Sequence, residues 1–582
     1  MKKVDTTVGD LVAMIERGEL LLPEMQRRYV WRASRVRDLF DSLYRGYPSG
    51  TILVWESDQG SPVQDMAVEQ ARTPFAGCKL LLDGQQRLTS LYSVIKGQPV
   101  TVRGRRRPIE ILFNLDHPEG SPLDATDDVE DDDEHDDLDG GDDEENGEES
   151  ESPSARASIQ ERLSQLTFVV GTKALARKPN WVSVSEVFGS SSDTEILKGT
   201  GMSGWEDPRY AKYAERLQKL RRIRDYPYVM QVLGRDLDYT EVTEIFVRVN
   251  SLGMKLRGSD LALAQITAKW RNSLPIFEAF REECERQGFS IDLGNIVRAM
   301  VIFATHQSRF KTVGGISLDR LKLGWEKAKD GLQFATNFLR QNADIEDESL
   351  LSSPFLIMPV AVLSELRDGR LSQAEEADLR RWLLVANAKG RYSGSAETKL
   401  DDELRVLFGK GSASDLLRIL EQQFVRLEVT PDDLEGRAKR SPLFATSFLA
   451  LRQTDAKDWH SGLGISLSLR GKSHLVQYHH VFPRAVLTKA GYPRREINEI
   501  ANMAFISGKT NRRISAKPPT EYFRTIIDER GEEALSSQAI PLDKSLWEID
   551  RYPDFLAERR RLLAKRINEL LAAKAGKAVR GT

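Results

Sequence analysis

Between Asp124 and Glu151 the chain carries 18 carboxylates and not one lysine or arginine. A packed core cannot hold them, because each buried carboxylate needs its own cation or set of donors. The stretch reads as a solvated insertion, so the folded body must be built from what precedes and follows it. It also masks the charge of that body. The whole chain has 84 basic and 88 acidic residues; without the insertion 70 acidic residues face the same 84 basic ones, about +14. A basic body suits a polyanion such as nucleic acid. A sharper reading of the same charges has the insertion lie in the basic groove and compete with DNA.

The 582 residues exceed a single core and divide into roughly three or four domains by length. No run of 18 apolar residues occurs, and Met1-Lys2-Lys3-Val4-Asp5 leads into folded-looking sequence without an apolar leader. No membrane partner is expected, and the expected location is cytoplasmic. Cys78 and Cys284 lie far apart, which excludes a disulfide framework or a cysteine-based zinc site. Association into a homo-oligomer is compatible with the sequence.

The local pattern is α+β in the first part. Val8, Leu11, Val12, Met14 and Ile15 have helical spacing, as do Val36, Leu39, Phe40, Leu43 and Tyr44. Thr51–Trp55, Lys79–Leu82 and Ile109–Leu115 read as strands, and Leu88, Leu91, Tyr92 and Ile95 mark a helix. From Tyr239 to Val425 helical spacing dominates, with Ser259 expected to cap Leu261–Trp270. Asp401, Asp402 and Glu403 read as an exposed helix face. Thr430–Pro442 reads as a linker. In the last helix Phe555, Leu556, Leu562, Leu563, Ile567 and Leu570 are expected to pack, while Arg559, Arg560, Lys565 and Arg566 cover the outer face. The expected domains are 1–265 (with the insertion 124–151), a helical connector 266–440, and a compact C-terminal domain 441–582.

The chemistry concentrates in the last of these. His is scarce, seven in the chain, yet His474, His479 and His480 fall in one short window. His480 precedes Val481-Phe482-Pro483 at the end of an expected strand, where neighbouring side chains point to opposite faces. One imidazole of the pair can hold a metal while the other takes a proton from water. Asn511 can supply a second ligand from a following helix, and Asn502 can tie the intervening loop. Lys509, Arg512, Arg513 and Lys517 are at hand for phosphate. Gly471-Lys472-Ser473 and Gly508-Lys509-Thr510 end like a phosphate-binding loop, but the glycine required five positions earlier is Ser466 and Met503 respectively.

A second constellation is Asp83-Gly84-Gln85-Gln86-Arg87 at a strand-to-helix junction. Free N–H groups at a helix start bind phosphate, Gly84 permits close approach, and Arg87 offers a planar fork. The plain alternative is a helix cap followed by exposed polar residues. Two further segments concentrate similar groups: Pro23-Glu24-Met25-Gln26-Arg27-Arg28-Tyr29-Val30-Trp31, and Phe246-Val247-Arg248-Val249-Asn250-Ser251-Leu252-Gly253.

These three segments, in this order, resemble the N-terminal domain of GmrSD-type restriction enzymes, a group that includes BrxU- and SspE-type defence proteins. His479-His480-Val481-Phe482-Pro483 with Asn502 and Asn511 resembles the HNH, or ββα-metal, endonucleases, the usual partner domain. The resemblance implies a ParB/sulfiredoxin-like N-terminal fold, a mainly α-helical middle and a ββα-metal C-terminal domain. It implies a nucleoside triphosphate at Asp83, Gly84, Gln85, Gln86 and Arg87, with Gln26, Arg27, Arg248 and Asn250 as neighbours. It further implies His479 and Asn511 as ligands of Mg²⁺ or Mn²⁺, His480 as general base, and Asn502 as the middle asparagine. The expected function is nucleotide-regulated cleavage of double-stranded DNA in anti-phage defence, acting on or licensed by modified phage DNA. Two other readings are a nucleotide-gated DNA-binding regulator with a vestigial nuclease, and an unspecific toxic nuclease.

Overall fold

The computed structural model describes residues 1–23, 31, 33–57, 63–64, 78–98, 110–118, 163–190, 192–202, 205–252, 258–465 and 476–572. The acidic insertion, Gln26, Arg27, Tyr29 and His474 lie outside them. The chain forms two compact units, Met1–Asn272 and Ser273–Thr582. The expected boundary at 265 falls close to the first division, and the one at 440 falls inside the second unit.

The first unit is organised on a mixed sheet in the order β1-β9-β3-β5-β2-β4. Its strands are β1 (Lys2–Thr7), β2 (Leu20–Pro23), β3 (Ile52–Ser57), β4 (Val63–Gln64), β5 (Cys78–Asp83) and β9 (Pro227–Leu233). Alternation along the strands sorts the side chains to two faces. Ile52, Val54, Leu81, Tyr228, Met230 and Val232 join a core formed with α1 (Val8–Glu16), α2 (Ala33–Tyr44) and α3 (Gln85–Lys96). Leu53, Trp55, Leu80, Leu82 and Leu233 face the other way, onto Val242 and Phe246 of α4 (Tyr239–Leu252) and Ala264 of α5 (Gly258–Lys269). Helices thus cover both faces. Helix α1 starts where the sequence says it should, because Thr7 and Asp10 form a reciprocal capping box. Ser259 is not the cap of α5: the helix already includes Gly258, so the serine sits in its first turn. A smaller sheet pairs β6 (Ile111–Asn114) with β7 (Phe168–Val170) and β8 (Trp181–Ser183). The residues on either side of the insertion therefore meet in one sheet.

The second unit begins as a helical stack. In α7 (Leu318–Asn342), a Cβ at Gly324 would lie 2.8 Å from the Met300 carbonyl of α6 (Leu293–Thr305). One at Gly331 would lie 2.8 Å from the Ala361 carbonyl of α8 (Ile357–Leu366). The two glycines let α7 run closely between its neighbours.

Three surface expectations are corrected here. Glu403 is not on an exposed face: it is fully buried, pairs with Arg391 Nε at 2.8 Å and accepts the Tyr392 hydroxyl. A carboxylate enters a helix core when a guanidinium enters with it. Residues 430–442 are not a free linker, for Leu434 is buried and the Gly436 N–H donates to Glu499 Oε2 at 2.9 Å. Arg559 of the last helix is not on the outer face. It is fully buried and donates to the carbonyls of Ala501, Met503 and Gln538 at 3.0, 2.6 and 3.2 Å.

Candidate functional site

Val476–His480 (β10) pairs antiparallel with Met503–Ser507 (β11), opposing His479 to Ala504 and His480 to Met503. Strand β11 leads directly into α9 (Gly508–Ile514), capped by Ser507, whose hydroxyl accepts from Thr510 N–H at 3.3 Å. Two strands and a helix are thus contiguous, with the histidine pair on the first strand and Asn511 on the helix. The outer edge of β11 is closed by an amide. Gln538 Oε1 accepts from Phe505 N–H at 3.2 Å, while its Nε2 donates to the Phe505 carbonyl at 2.5 Å.

The two imidazoles have different surroundings. His479 is buried, its ring set edge-on to Trp459 and Tyr522 at 6.2 and 6.0 Å. Its Nδ1 lies 2.8 Å from Asn511 Oδ1, and its Nε2 is buried with no hydrogen-bond partner. Burial lowers its pKa to about 4, so the ring is neutral at physiological pH. His480 is half-buried, and its Nε2 is 3.2 Å from Asn498 Oδ1. An amide oxygen only accepts, so each contact is made by an imidazole N–H: His479 donates from Nδ1, and His480 from Nε2.

Asn502 has no exposed surface and uses its whole amide on the loop behind His480. Its Oδ1 accepts from Phe482 N–H at 2.8 Å, and its Nδ2 donates to the carbonyls of Phe482 and Ile497 at 3.2 and 3.0 Å. This clasp sets the segment that carries Asn498. The sequence singled out Asn502 and Asn511 but not Asn498, although it stands only four residues before Asn502 in Ile497-Asn498-Glu499-Ile500-Ala501-Asn502.

A divalent metal would take the place of this Nδ1–H···Oδ1 hydrogen bond, with the His479 proton moved to Nε2: two neighbouring ligands of an octahedral ion with ~2.1 Å bonds stand ~3 Å apart, and His479 Nδ1 and Asn511 Oδ1 are 2.8 Å apart. The imidazole is neutral, as a ligand must be. Among the described residues no group of three or more His, Cys, Asp or Glu could hold a metal; an octahedral ion on these two side chains would take further ligands, such as water and phosphate.

At the other constellation, β5 ends at Asp83 and α3 begins at Gln85, with Gly84 between them at φ 99°. A side chain at 84 would be strained by that φ, and its Cβ would lie 2.5 Å from Ile52 Cδ1. Gly84 provides no side-chain cap, which leaves first-turn N–H groups of α3 without a capping acceptor. Gln85 Oε1 and Thr89 Oγ1, one turn apart, are buried and make no hydrogen bond. Gln86 Oε1 accepts from Trp31 N–H at 3.2 Å. The Arg87 fork is engaged within the chain: it donates to the carbonyls of Ser49 and Thr51 and lies 3.1 Å from Asp83 Oδ2. A helix start without a side-chain cap and the two orphaned oxygens suit a phosphate-bearing ligand with donors of its own. Arg248, on α4, pairs with Glu244 one turn back on the same helix, and its side chain is largely exposed. Asn250 lies in that helix as well, with its side chain outside the described ones, as are Gln26 and Arg27.

Residues 8–267 match the family model for the GmrSD restriction endonuclease, N-terminal domain. That match supports a restriction endonuclease-like defence role with DNA as the substrate. The chain is also 22% identical over 555 residues to an uncharacterized protein of Methanocaldococcus jannaschii, an alignment covering 90% of this chain and 88% of the relative. No helix among the described residues is long and apolar enough to cross a membrane.

Proposed function

We propose that the protein is a nucleotide-regulated, metal-dependent endonuclease of the HNH type that cuts double-stranded DNA in anti-phage defence. The observation that carries this reading is the contact of His479 with Asn511 on one side of β10, with His480 held by Asn498 on the other. With Nε2–H given to Asn498, His480 Nδ1 is the atom that takes a proton from water. The water oxygen then bonds to phosphorus while the bond to the 3′-oxygen breaks, and that oxygen takes a proton from solvent, leaving a 5′-phosphate and a 3′-hydroxyl. Mg²⁺ or Mn²⁺, held by His479 and Asn511, would stabilise the charge that builds on the phosphate and the leaving oxygen. Asn502 takes no part in bond breaking and keeps the His480 loop in place.

In the first unit the nucleoside triphosphate is assigned to the junction Asp83–Arg87. The start of α3, which Gly84 does not cap, and the oxygens of Gln85 and Thr89 support this assignment. Modified DNA is the proposed licence for cutting, and nucleotide occupancy the proposed control.

The test is cleavage of plain plasmid and modified phage DNA by the full chain, with Mg²⁺ or Mn²⁺ and a panel of nucleotides. Cleavage that requires metal, depends on nucleotide and prefers modified DNA is the expected result, with Gln86→Ala losing the nucleotide dependence. Tight DNA binding without cleavage under every combination would replace the reading with that of a regulator. Equal cutting of all DNAs would replace it with an unspecific nuclease.

A further inference from the structure

Asp458 stands upstream of every residue named for the nuclease site, yet it is one of the most heavily bonded carboxylates in the second unit. It is buried, and its Oδ2 accepts from Ser507 N–H at 2.7 Å. Its Oδ1 accepts from the Thr510 hydroxyl at 2.8 Å, from Ser461 N–H and Ser461 Oγ at 2.7 Å each, and from His460 N–H at 3.2 Å. These donors hold its pKa below the usual carboxylate range despite burial. Ser507 and Thr510 are the cap and third residue of α9, and Asn511 is the next residue. The Ser507 hydroxyl already caps the helix and also donates to Thr510 Oγ1 at 3.1 Å. A second, charged anchor is therefore more than the short helix needs for its own termination.

The residue beside it reaches the other ligand candidate. Trp459 is buried, donates from Nε1 to the Ala534 carbonyl at 3.1 Å, and sets its ring at 86° to that of His479. Two consecutive residues thus touch the helix that carries Asn511 and the ring that faces it.

We propose that Asp458 and Trp459 are positioning residues of the metal site, with the Asp458–Thr510 bond setting Asn511 against His479. The inference rests on the metal-dependent reading above. Residues that orient ligands affect metal affinity by about 10- to 100-fold when removed. A fixed pair of ligands binds an ion more tightly than a mobile pair, because the cost of ordering is met during folding.

The experiment is Mn²⁺ titration of the full chain, followed by electron paramagnetic resonance of the free ion, for the wild type and for Thr510→Val, Thr510→Ser and His479→Ala. Thermal melting is measured on each. Thr510→Val keeps the shape and loses the hydroxyl, whereas Thr510→Ser keeps the hydroxyl. We expect one Mn²⁺ site that His479→Ala abolishes, that Thr510→Val weakens about tenfold and that Thr510→Ser restores. Asp458→Asn, which turns one acceptor oxygen into a donor, is expected to behave like Thr510→Val. A folded Thr510→Val protein that binds Mn²⁺ as the wild type does would overturn the proposal while leaving the endonuclease reading intact. A wild type without a His479-dependent site would overturn both.

Discussion

Asn502 shows how much a single buried amide can hold. It satisfies one N–H and two carbonyls around the His480 loop, and none of these groups has water to turn to. Asn502→Ala is expected to cost about 2–4 kcal/mol, as a buried amide is lost and its partners are stranded. Asn502→Asp, which sets a carboxylate against two carbonyl oxygens, is expected to cost at least as much; chemical denaturation of the full chain measures both. In the first unit, His117 is buried, donates from Nδ1 to the Pro118 carbonyl and accepts from the Tyr44 hydroxyl. Burial lowers its pKa to about 4. A free histidine titrates near 6.5, so between these values the unfolded chain binds the proton and the folded chain does not. The contribution of His117 is complete above pH ~6.5 and is lost as pH falls towards 4, by about 2 kcal/mol at pH 5. Hydrogen exchange over residues 33–44 and 111–117, corrected for intrinsic rates, reads this loss. His117→Gln is expected to flatten the pH dependence, and an unchanged profile would refute the assignment. The sequence made Asn502 and Asn511 visible because each stands at a recognisable distance from the histidine pair. Asp458 gave no such signal, since its partners Ser507 and Thr510 come some fifty residues later and only the fold joins them.

At the scale of elements, periodicity was a good guide wherever a surface was apolar. The alternation in β3, with Ile52 and Val54 on one face and Leu53 and Trp55 on the other, predicts a strand covered on both sides, and both cores are present. The last helix, α10 (Tyr552–Ala572), buries Phe555, Leu556, Leu563, Ile567 and Leu570 as its pattern requires, and leaves Leu562 half-buried. The pattern failed at Arg559 and Glu403 because periodicity counts charge as an outward signal. A charged group turns inward when acceptors or cations from other segments meet it: carbonyls up to 58 residues away for Arg559, and the Arg391–Tyr392 pair in the turn before its helix for Glu403. Arg559 joins the carbonyls on both sides of Asn502 to Gln538, so α10 supports the hairpin that carries the histidines. Arg559→Met is expected to destabilise the chain by about 3–5 kcal/mol, with Arg559→Lys intermediate because it keeps the charge but not the fork. Equal midpoints in guanidinium chloride for the wild type and Arg559→Met would contradict this role.

At the scale of the molecule, the two candidate sites lie in different units. The match to the GmrSD N-terminal domain lies within the first, over residues 8–267, and the histidine hairpin lies in the second. The sequence points to both candidate sites through short motifs, and its α+β class agrees with the described residues. It places a linker at 430–442, where polar residues and prolines suggest one; buried Leu434 and the Gly436 N–H, which donates to Glu499 Oε2 at 2.9 Å, instead bind that segment into the second unit. Polar composition records what a segment can do in water and says nothing of a distant segment that supplies matching hydrogen bonds.

The account rests on His480 as the group that activates water. Its most direct test is single-turnover cleavage of duplex DNA at saturating Mn²⁺ by the wild type and by His480→Ala, with DNA affinity measured in parallel. The account predicts 5′-phosphate and 3′-hydroxyl ends from the wild type. It also predicts a loss of ~10²- to 10⁴-fold in the cleavage rate of His480→Ala at unchanged affinity. Cleavage by His480→Ala at the wild-type rate would contradict it.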